Sequence, residues 1–308
     1  MVLIDDRMAR EFYEAGKLRD LSAVRLPQPA PGLEDVLEEL GRMEGKRVGL
    51  PVIVAPSLIT VNEAAFTGAG VAVPPLDWQV EEFEQALRDL KAAGVSFNLS
   101  AMSLVDPLVR AYGGQMYDSA RQAWAFDTPE AKQGLSALGR LTRDQLVDAE
   151  ASGKRTIMIG GGPKAPALTM MPAGINVALR GMNVMPLPKG PKGRAVPVGA
   201  TMGSVLASSA NPEAATDFLK AMISDPAMQQ AMARAGIRPV SNDSKALAAW
   251  QESVGDRMAQ VVELSLQGAY VENADTPALV EAMTGLQPFL TGNTSLDQII
   301  PGLISSLN

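Results

Sequence analysis

Short apolar runs alternate with amphipathic stretches along most of the 308 residues. Val2 to Ile4 reads as a strand, followed by a helix carrying Met8, Phe12 and Leu18, with Asp5 or Asp6 placed to cap it and Gly16 near its end. Pro27, Pro29 and Pro31 mark a loop, Leu33 to Leu40 has helical spacing, Lys46 to Val54 predicts a strand, and Leu58 to Val61 continues the apolar path to Asn62. Asp77 is placed to cap a helix from Trp78 to Ala93. Its apolar face is Val80, Phe83, Leu87 and Leu90; its polar face is Glu81, Glu82, Glu84, Arg88 and Asp89. Val95 to Leu99 predicts a strand and Ser100 to Val109 a helix, ended by Tyr112-Gly113-Gly114. Asp127-Thr128-Pro129-Glu130 opens another helix, with Ala131, Leu135 and Leu138 inward. Leu141 to Ser152 reads as a charged helix and Thr156 to Ile159 as a strand.

The stretch from Met182 to Ile223 organises the second half. Pro186, Pro188, Pro191 and Pro197 stiffen a loop, an apolar run from Val196 to Leu206 predicts a strand, and Asn211-Pro212 opens a helix. Ala215, Phe218, Leu219 and Met222 then fall on one helical face. Helices over 227–235, 244–259, 261–266, 277–290 and 295–307 complete the pattern, and no internal repeat is visible. Single cores stop growing at roughly 250–300 residues, so the chain is expected to form two lobes. Met182 to Ile223 is read as one crossing between them and Val54 to Asn62 as its partner.

Composition narrows the chemistry. Hydrophobic residues at 46% and charged residues at 20% describe a folding, globular chain. A net charge of −7 argues against a nucleic-acid partner, which needs clustered Lys and Arg. The one basic knot, Lys189 to Arg194, reads as a solvated loop, with an anion contact as the alternative. No apolar run is long enough to span a membrane, and the amino terminus shows no signal-peptide pattern. Neither Cys nor His is present. That excludes disulfides, thiolate or imidazole metal sites, and nucleophile systems that need a His base. No metal or other cofactor is expected. An enzyme would have to use carboxylates, Lys or Tyr, and Asp5, Asp6, Asp106 and Asp118 are the candidate acids.

Three places can meet a ligand. Asp5, Asp6 and Arg7 follow a strand, where open α/β sheets bind; the alternative for Asp6 is a plain helix cap. The N-terminal N–H groups of the helix from Ser100 can receive an oxygen-rich ligand. Gly160-Gly161-Gly162-Pro163-Lys164 follows a predicted strand and fits neither the Walker A nor the dinucleotide spacing. It reads as a cleft rim or a bare turn. Trp78 is a packing anchor or a ligand platform.

The order of several segments resembles the extracellular solute-binding proteins of family 1, the sugar-type receptors of bacterial ABC importers. Glu14 to Leu21 (EAGKLRDL) is similar to that family's "aGkL.dL", and Glu44 to Pro51 (EGKRVGLP) to "dGK.yglP". Asn62 to Gly70 with Pro74 and Trp78 resembles "yN..lf..aGv..P.tW.ef". Tyr112 to Gly114 and Phe126 to Ala131 look like "GG" followed by "fdspea", and Gly153 to Ile159 like the "GkaAM.i.G" strand. Met182 to Ile223 resembles "lPkGPkG...vgg..laiss.s.npeaA.dFlkfl".

The resemblance implies a type II periplasmic-binding-protein fold: two α/β lobes joined by a hinge, with a solute held in the interlobe cleft and captured by hinge closure. Residues 1–57 and 197–242 would form lobe one, and 58–196 with 243–308 lobe two. Relative to the family the first lobe would lack its beginning. The implied role is a non-catalytic, monomeric receptor that delivers a small polar solute, a carbohydrate or related polyol, to a membrane permease. Its implied location is periplasmic or extracellular and membrane-anchored. Carried over by position, the ligand contacts would be Asp6 and Arg7 from lobe one, Ser103, Gly161, Gly162 and Lys164 from lobe two, and Thr201 and Ser204 from the returning crossing. Val61 and Lys164 stand where the family often has aromatics, which turns the expectation away from a long oligosaccharide. The alternatives are a truncated or repurposed relative with a sensing role, and a carboxylate-dependent glycosidase.

Overall fold

A computed structural model describes residues 1–118, 121, 123–149, 165–171, 183–271 and 276–307. The first apolar run is β1 (Val2–Ile4), and Asp5 caps α1 (Asp6–Glu14) by accepting the Met8 N–H at 2.8 Å. A small hairpin of β2 (Arg42–Met43) and β3 (Lys46–Arg47) precedes β4 (Leu50–Pro56) and β5 (Leu58–Val61). Next come α2 (Glu63–Ala69), α3 (Val80–Ala92) and α4 (Ala101–Ala111), then β6 (Tyr117–Asp118) paired with β7 (Ala123–Trp124). After α5 (Pro129–Arg143) lie β8 (Leu168–Met171), β9 (Val184–Met185) and the nine-residue β10 (Val196–Ser204). Helices α6 (Pro212–Ser224), α7 (Pro226–Arg234), α8 (Ser244–Val254) and α9 (Asp256–Leu266) lead to β11 (Ala269–Val271), α10 (Thr276–Leu290) and α11 (Leu296–Leu307).

Several elements differ from the sequence expectation. Leu33, Val36, Leu37 and Leu40 are all buried as helical spacing demands, but the backbone mixes i→i+3 and i→i+4 bonds and forms successive turns. The run from Lys46 to Val54 is two strands, because Gly41 accepts the N–H groups of Val48 and Gly49 and draws the chain out of line before β4. The cap of α3 is Gln79, not Asp77. The Glu82 carboxylate reaches back to the Gln79 N–H at 2.7 Å, and a bridge to Lys189 holds Gln79 extended. Helix α5 ends at Arg143, with Asp144 as its C-cap, so the predicted helix from Leu141 does not form there. The predicted strand at 156–159 lies outside the described residues.

The described residues group into two units. The first contains Met1–Ser57 and 196–271; the second contains residues within 58–171, with 183–195 and 276–307. Chain segments therefore pass between units at Ser57–Leu58 and at Ala195–Val196. Residues 243–271, grouped by sequence with lobe two, fall in the first unit. Strand β11 pairs parallel with β10, α8 packs on α7, and α9 on β4.

In the first unit β10 is the central strand. One edge pairs antiparallel with β4, from Val198↔Pro56 to Gly203↔Leu50, with a register shift between Thr201 and Met202. The other edge takes β1 (Val2↔Ser204, Leu3↔Gly203, Ile4↔Met202) and β11 (Val196↔Ala269). Leu219 of α6 sits directly over Gly203, where a Cβ would overlap it, so helix and sheet approach closely. Arg238, 5% exposed, ties the second half of this unit to the first. It donates to Pro31 O at 2.7 Å and to Glu263 Oε1 at 2.9 Å, and its guanidinium lies over the Trp250 ring.

In the second unit β5 is central, antiparallel to β8 and to β9. The segment predicted as a strand at Val95–Leu99 contributes single bridges instead, Asn98↔Thr169 and Ser100↔Asp148, both parallel. Helices α4 and α5 pack together through Gly134, where a Cβ would stand 2.5 Å from Val109 Cα. Trp78 is wholly buried, edge-on to Phe83, and donates its indole N–H to Pro186 O at 2.9 Å. It is a packing anchor.

Candidate functional site

The basic knot takes no part in an open anion site. Arg194, 3% exposed, donates to Leu187 O and Leu76 O, and pairs at 3.6 Å with Asp77, which Lys189 also grips at 2.5 Å. Burial pulls the Arg194 guanidinium below its ordinary value, and the hydrogen bond from Lys189 holds the Asp77 carboxyl below the usual carboxylate range. The reading of Lys189–Arg194 as a solvated loop holds for Pro191 and Lys192, which are exposed, and is corrected for Arg194, whose side chain is buried. This loop is a clamp that fixes the start of α3.

In the first unit the candidate residues gather at one end of the sheet. Strand β1 ends at Ile4, opposite Met202, and the antiparallel register carries Asp5 towards Thr201. Asp5 performs the capping, which leaves Asp6 as the first helical residue rather than the cap. Asp6 and Arg7 begin α1; their side chains lie outside what the structure describes. Thr201 is partly exposed and stands at the register shift of β10, a kind of irregularity that re-aims side chains beside functional sites. Ser204 is different. It is fully buried, and its hydroxyl, without a hydrogen-bond partner among the described residues, lies 3.0 Å from where a Cβ on Gly49 would be.

In the second unit the polar residues form a row across the sheet and into α4. Ser100 caps α4, accepting the Ser103 N–H at 3.3 Å, and the two hydroxyls are 3.0 Å apart. Beside Ser100 lies Asp148, and beside Asn98 lies Thr169, whose carbonyl accepts from the Thr60 hydroxyl at 3.2 Å. Asn98, Ser100 and Ser103 are partly exposed and Asp148 is exposed. In the first turn of α4 the Ala101 N–H donates to Asp148 O at 2.8 Å and the Ser103 N–H to Ser100, and the helix end adds a partial positive charge here. This row offers both donors and acceptors, the requirement for hydroxyl-rich solutes. Sequence reasoning reached Ser103 but not Asn98 or Asp148; Asp148 meets Ser100 through a parallel pairing that no local pattern encodes, while Asn98 stands two residues before Ser100 on the same extended segment. Gly161, Gly162 and Lys164 lie outside the described residues; the next residue described, Ala165, is held through its carbonyl by Asn62 Nδ2 at 3.1 Å. Asn62 also caps α2.

Three of the four candidate acids are otherwise engaged. Asp106 is buried within α4 and pairs with Arg110 at 2.9 Å, Asp118 pairs with Arg121 at 3.5 Å, and Asp5 caps a helix. Among the described residues no group of three or more His, Cys, Asp or Glu side chains can hold a metal ion, and no helix is long and apolar enough to cross a membrane.

Solved structures similar to this chain include a cyclic alpha-maltosyl-1,6-maltose binding protein from Arthrobacter globiformis. It is 21% identical, with a TM-score of 0.72 over 99% of this chain and 83% of that one. The GacH receptor of Streptomyces glaucescens, solved unliganded and with acarbose, is 19% identical, with a TM-score of 0.69 over 99% and 81%. An ABC transporter solute-binding protein from Thermotoga lettingae bound with alpha-D-tagatose is 17% identical, with a TM-score of 0.69 over 96% and 81%. No curated protein matches the chain. The fold is that of the type II periplasmic sugar-binding proteins, as expected. The family model described as bacterial extracellular solute-binding protein matches residues 1–229, three quarters of the length, and the chain belongs to that family.

Proposed function

We propose that this protein is the substrate-binding receptor of a bacterial ABC importer, capturing a small carbohydrate or related polyol outside the cytoplasmic membrane and presenting it to a permease. The observation that carries this reading is the likeness, over 96–99% of the chain, to a protein named for binding cyclic alpha-maltosyl-1,6-maltose and to others solved with acarbose or alpha-D-tagatose. The polar residues support it. Ser103 in the second unit and Thr201 in the first are partly exposed and carry hydroxyls suited to a sugar, and Asp6 and Arg7 begin the helix beside Thr201. Gly161, Gly162 and Lys164 complete the proposed set by position; Ser204, expected to be a ligand contact, is fully buried and is left out of it. The receptor acts as a monomer without catalysis.

Thermal melting against a panel of hexoses, hexitols and maltodextrins tests the reading. A ligand at 100 times its Kd adds about 2.7 kcal/mol, so a binder raises Tm by several degrees. No shift with any member, or turnover of a glycoside by the purified protein, overturns the proposal.

A further inference from the structure

The chain contains three Trp, four Tyr and seven Phe, and all of them lie among the described residues. Their positions can therefore be followed one by one. A pyranose presents apolar C–H faces, and a flat aromatic ring is the side chain that covers such a face with the largest area at the least entropic cost. Each successive sugar of a bound oligosaccharide needs its own such surface.

None of the three indoles is placed for this. Trp78 is packed edge-on to Phe83, Trp124 is held between Tyr117 and Phe126 at centroid distances of 5.5 and 5.7 Å, and Trp250 lies under the Arg238 guanidinium; their exposures are 0, 7 and 4%. Phe66, Phe83, Phe126 and Phe289 are buried too. Of the rings with accessible surface, Phe12 lies under Lys17, and Tyr13 donates its hydroxyl to Glu44. Tyr112 closes the carboxyl end of α4, away from Ser100 and Ser103, and Tyr117 packs on Trp124. Phe218 projects from α6, and Tyr270 lies on β11 opposite Pro197. Phe97 is partly exposed, but successive side chains of an extended segment point to opposite sides, so its ring does not share the side of Asn98 and Ser100.

Resting on the proposed function, we infer that the solute is a single sugar ring or an open-chain polyol, bound chiefly through its hydroxyls, and not a linear or cyclic oligosaccharide. The row of Asn98, Ser100, Ser103 and Asp148 supplies hydrogen-bond partners in number, with no stacking ring shown beside it among the described residues. Affinity gained this way saturates with the first residue of a saccharide. Further residues add desolvation and ordering without a matching surface.

Isothermal titration of the whole chain with D-glucose, D-galactose, D-fructose, D-mannitol, maltose, maltotetraose and β-cyclodextrin decides the matter. The expected result is binding of at least one monosaccharide or hexitol, at least about tenfold tighter than any of the three larger saccharides. Tighter binding of maltotetraose or β-cyclodextrin overturns this inference while upholding the receptor function. Binding of none of the seven overturns both.

Discussion

The hydroxyls of Ser100 and Ser103 lie 3.0 Å apart, and Ser100 also accepts the Ser103 N–H at 3.3 Å. One hydroxyl finishes the helix and the other is the one proposed to meet a solute, so the two separate by mutation. Ser100→Ala removes the cap of α4 and is expected to lower stability by about 1 kcal/mol. Ser103→Ala keeps the cap, since the bond there runs from its backbone N–H. It is expected to leave stability within about 0.5 kcal/mol and weaken ligand binding about fivefold, the value of one lost hydrogen bond. Thermal melts and calorimetry on both variants check this. Equal effects of the two on stability, with binding unchanged in Ser103→Ala, would sink the assignment.

The clamp of Asp77, Lys189 and Arg194 predicts a pH dependence. The Asp77 carboxyl is held low in the folded state, first by the hydrogen bond from Lys189 and then by the charges of Lys189 and Arg194. Its folded value lies below its unfolded one. The stabilisation is therefore complete above the ordinary carboxylate value, about 3.9, and is lost as pH falls through the lower, folded value. Asp77→Asn should be less stable than the parent at neutral pH, and the difference should shrink below about pH 4. Urea unfolding at both ends of that range measures it; a difference that persists in acid would show that shape, not charge, carries the clamp.

Gly134 tests whether packing or propensity decides at a helix crossing. Exchanging a mid-helix glycine for alanine gains up to about 1 kcal/mol in propensity. Here the new methyl would meet Val109 Cα at 2.5 Å and Leu108 O at 2.9 Å, backbone atoms that can yield only if the helices part. Overpacking of this kind costs about 1–3 kcal/mol. Gly134→Ala is expected to lower Tm, and an unchanged or raised Tm would mean that α4 and α5 separate freely.

Elements whose signals are local were legible in the chain. Asn211-Pro212 opens α6 where the motif places it, and the run from Val196 becomes β10. The apolar face of α6 was legible only in part. Leu219 and Ile223 are buried, but Phe218 is 44% exposed, because the helix meets its unit along a narrow line over Gly203 and Val52. The site was harder to see. Ser103 follows from the family resemblance, whereas Asp148 reaches Ser100, and Thr169 reaches Asn98, through parallel bridges between segments some 50 and 70 residues apart. Asp77 looked like a cap and serves as a clamp, since its partners Lys189 and Arg194 lie more than 100 residues away. Long-range partners of either kind leave no trace in periodicity.

Arg47 carries the last prediction. It is 2% exposed, on β3, and its guanidinium donates to Leu40 O at 2.9 Å, Glu38 O at 3.0 Å and Glu38 Oε2 at 2.8 Å. Burial draws it below its ordinary value, and the Glu38 carboxylate opposes this. That carboxylate is 64% exposed, so water shares it and the ion pair itself is worth at most about 1 kcal/mol. The Leu40 carbonyl is the larger stake. Glu38 O also accepts from Arg42 Nε at 2.9 Å, whereas Leu40 O takes its side-chain donor from Arg47, and leaving it unsatisfied costs about 1–3 kcal/mol. Arg47→Met, which keeps much of the stem volume, should therefore destabilise by several times the effect of Glu38→Gln. Urea denaturation of the two variants compares them, and a double mutant no worse than Arg47→Met alone is the expected outcome. If Glu38→Gln proves as damaging as Arg47→Met, the charge pair and not the carbonyl anchoring holds this region in place.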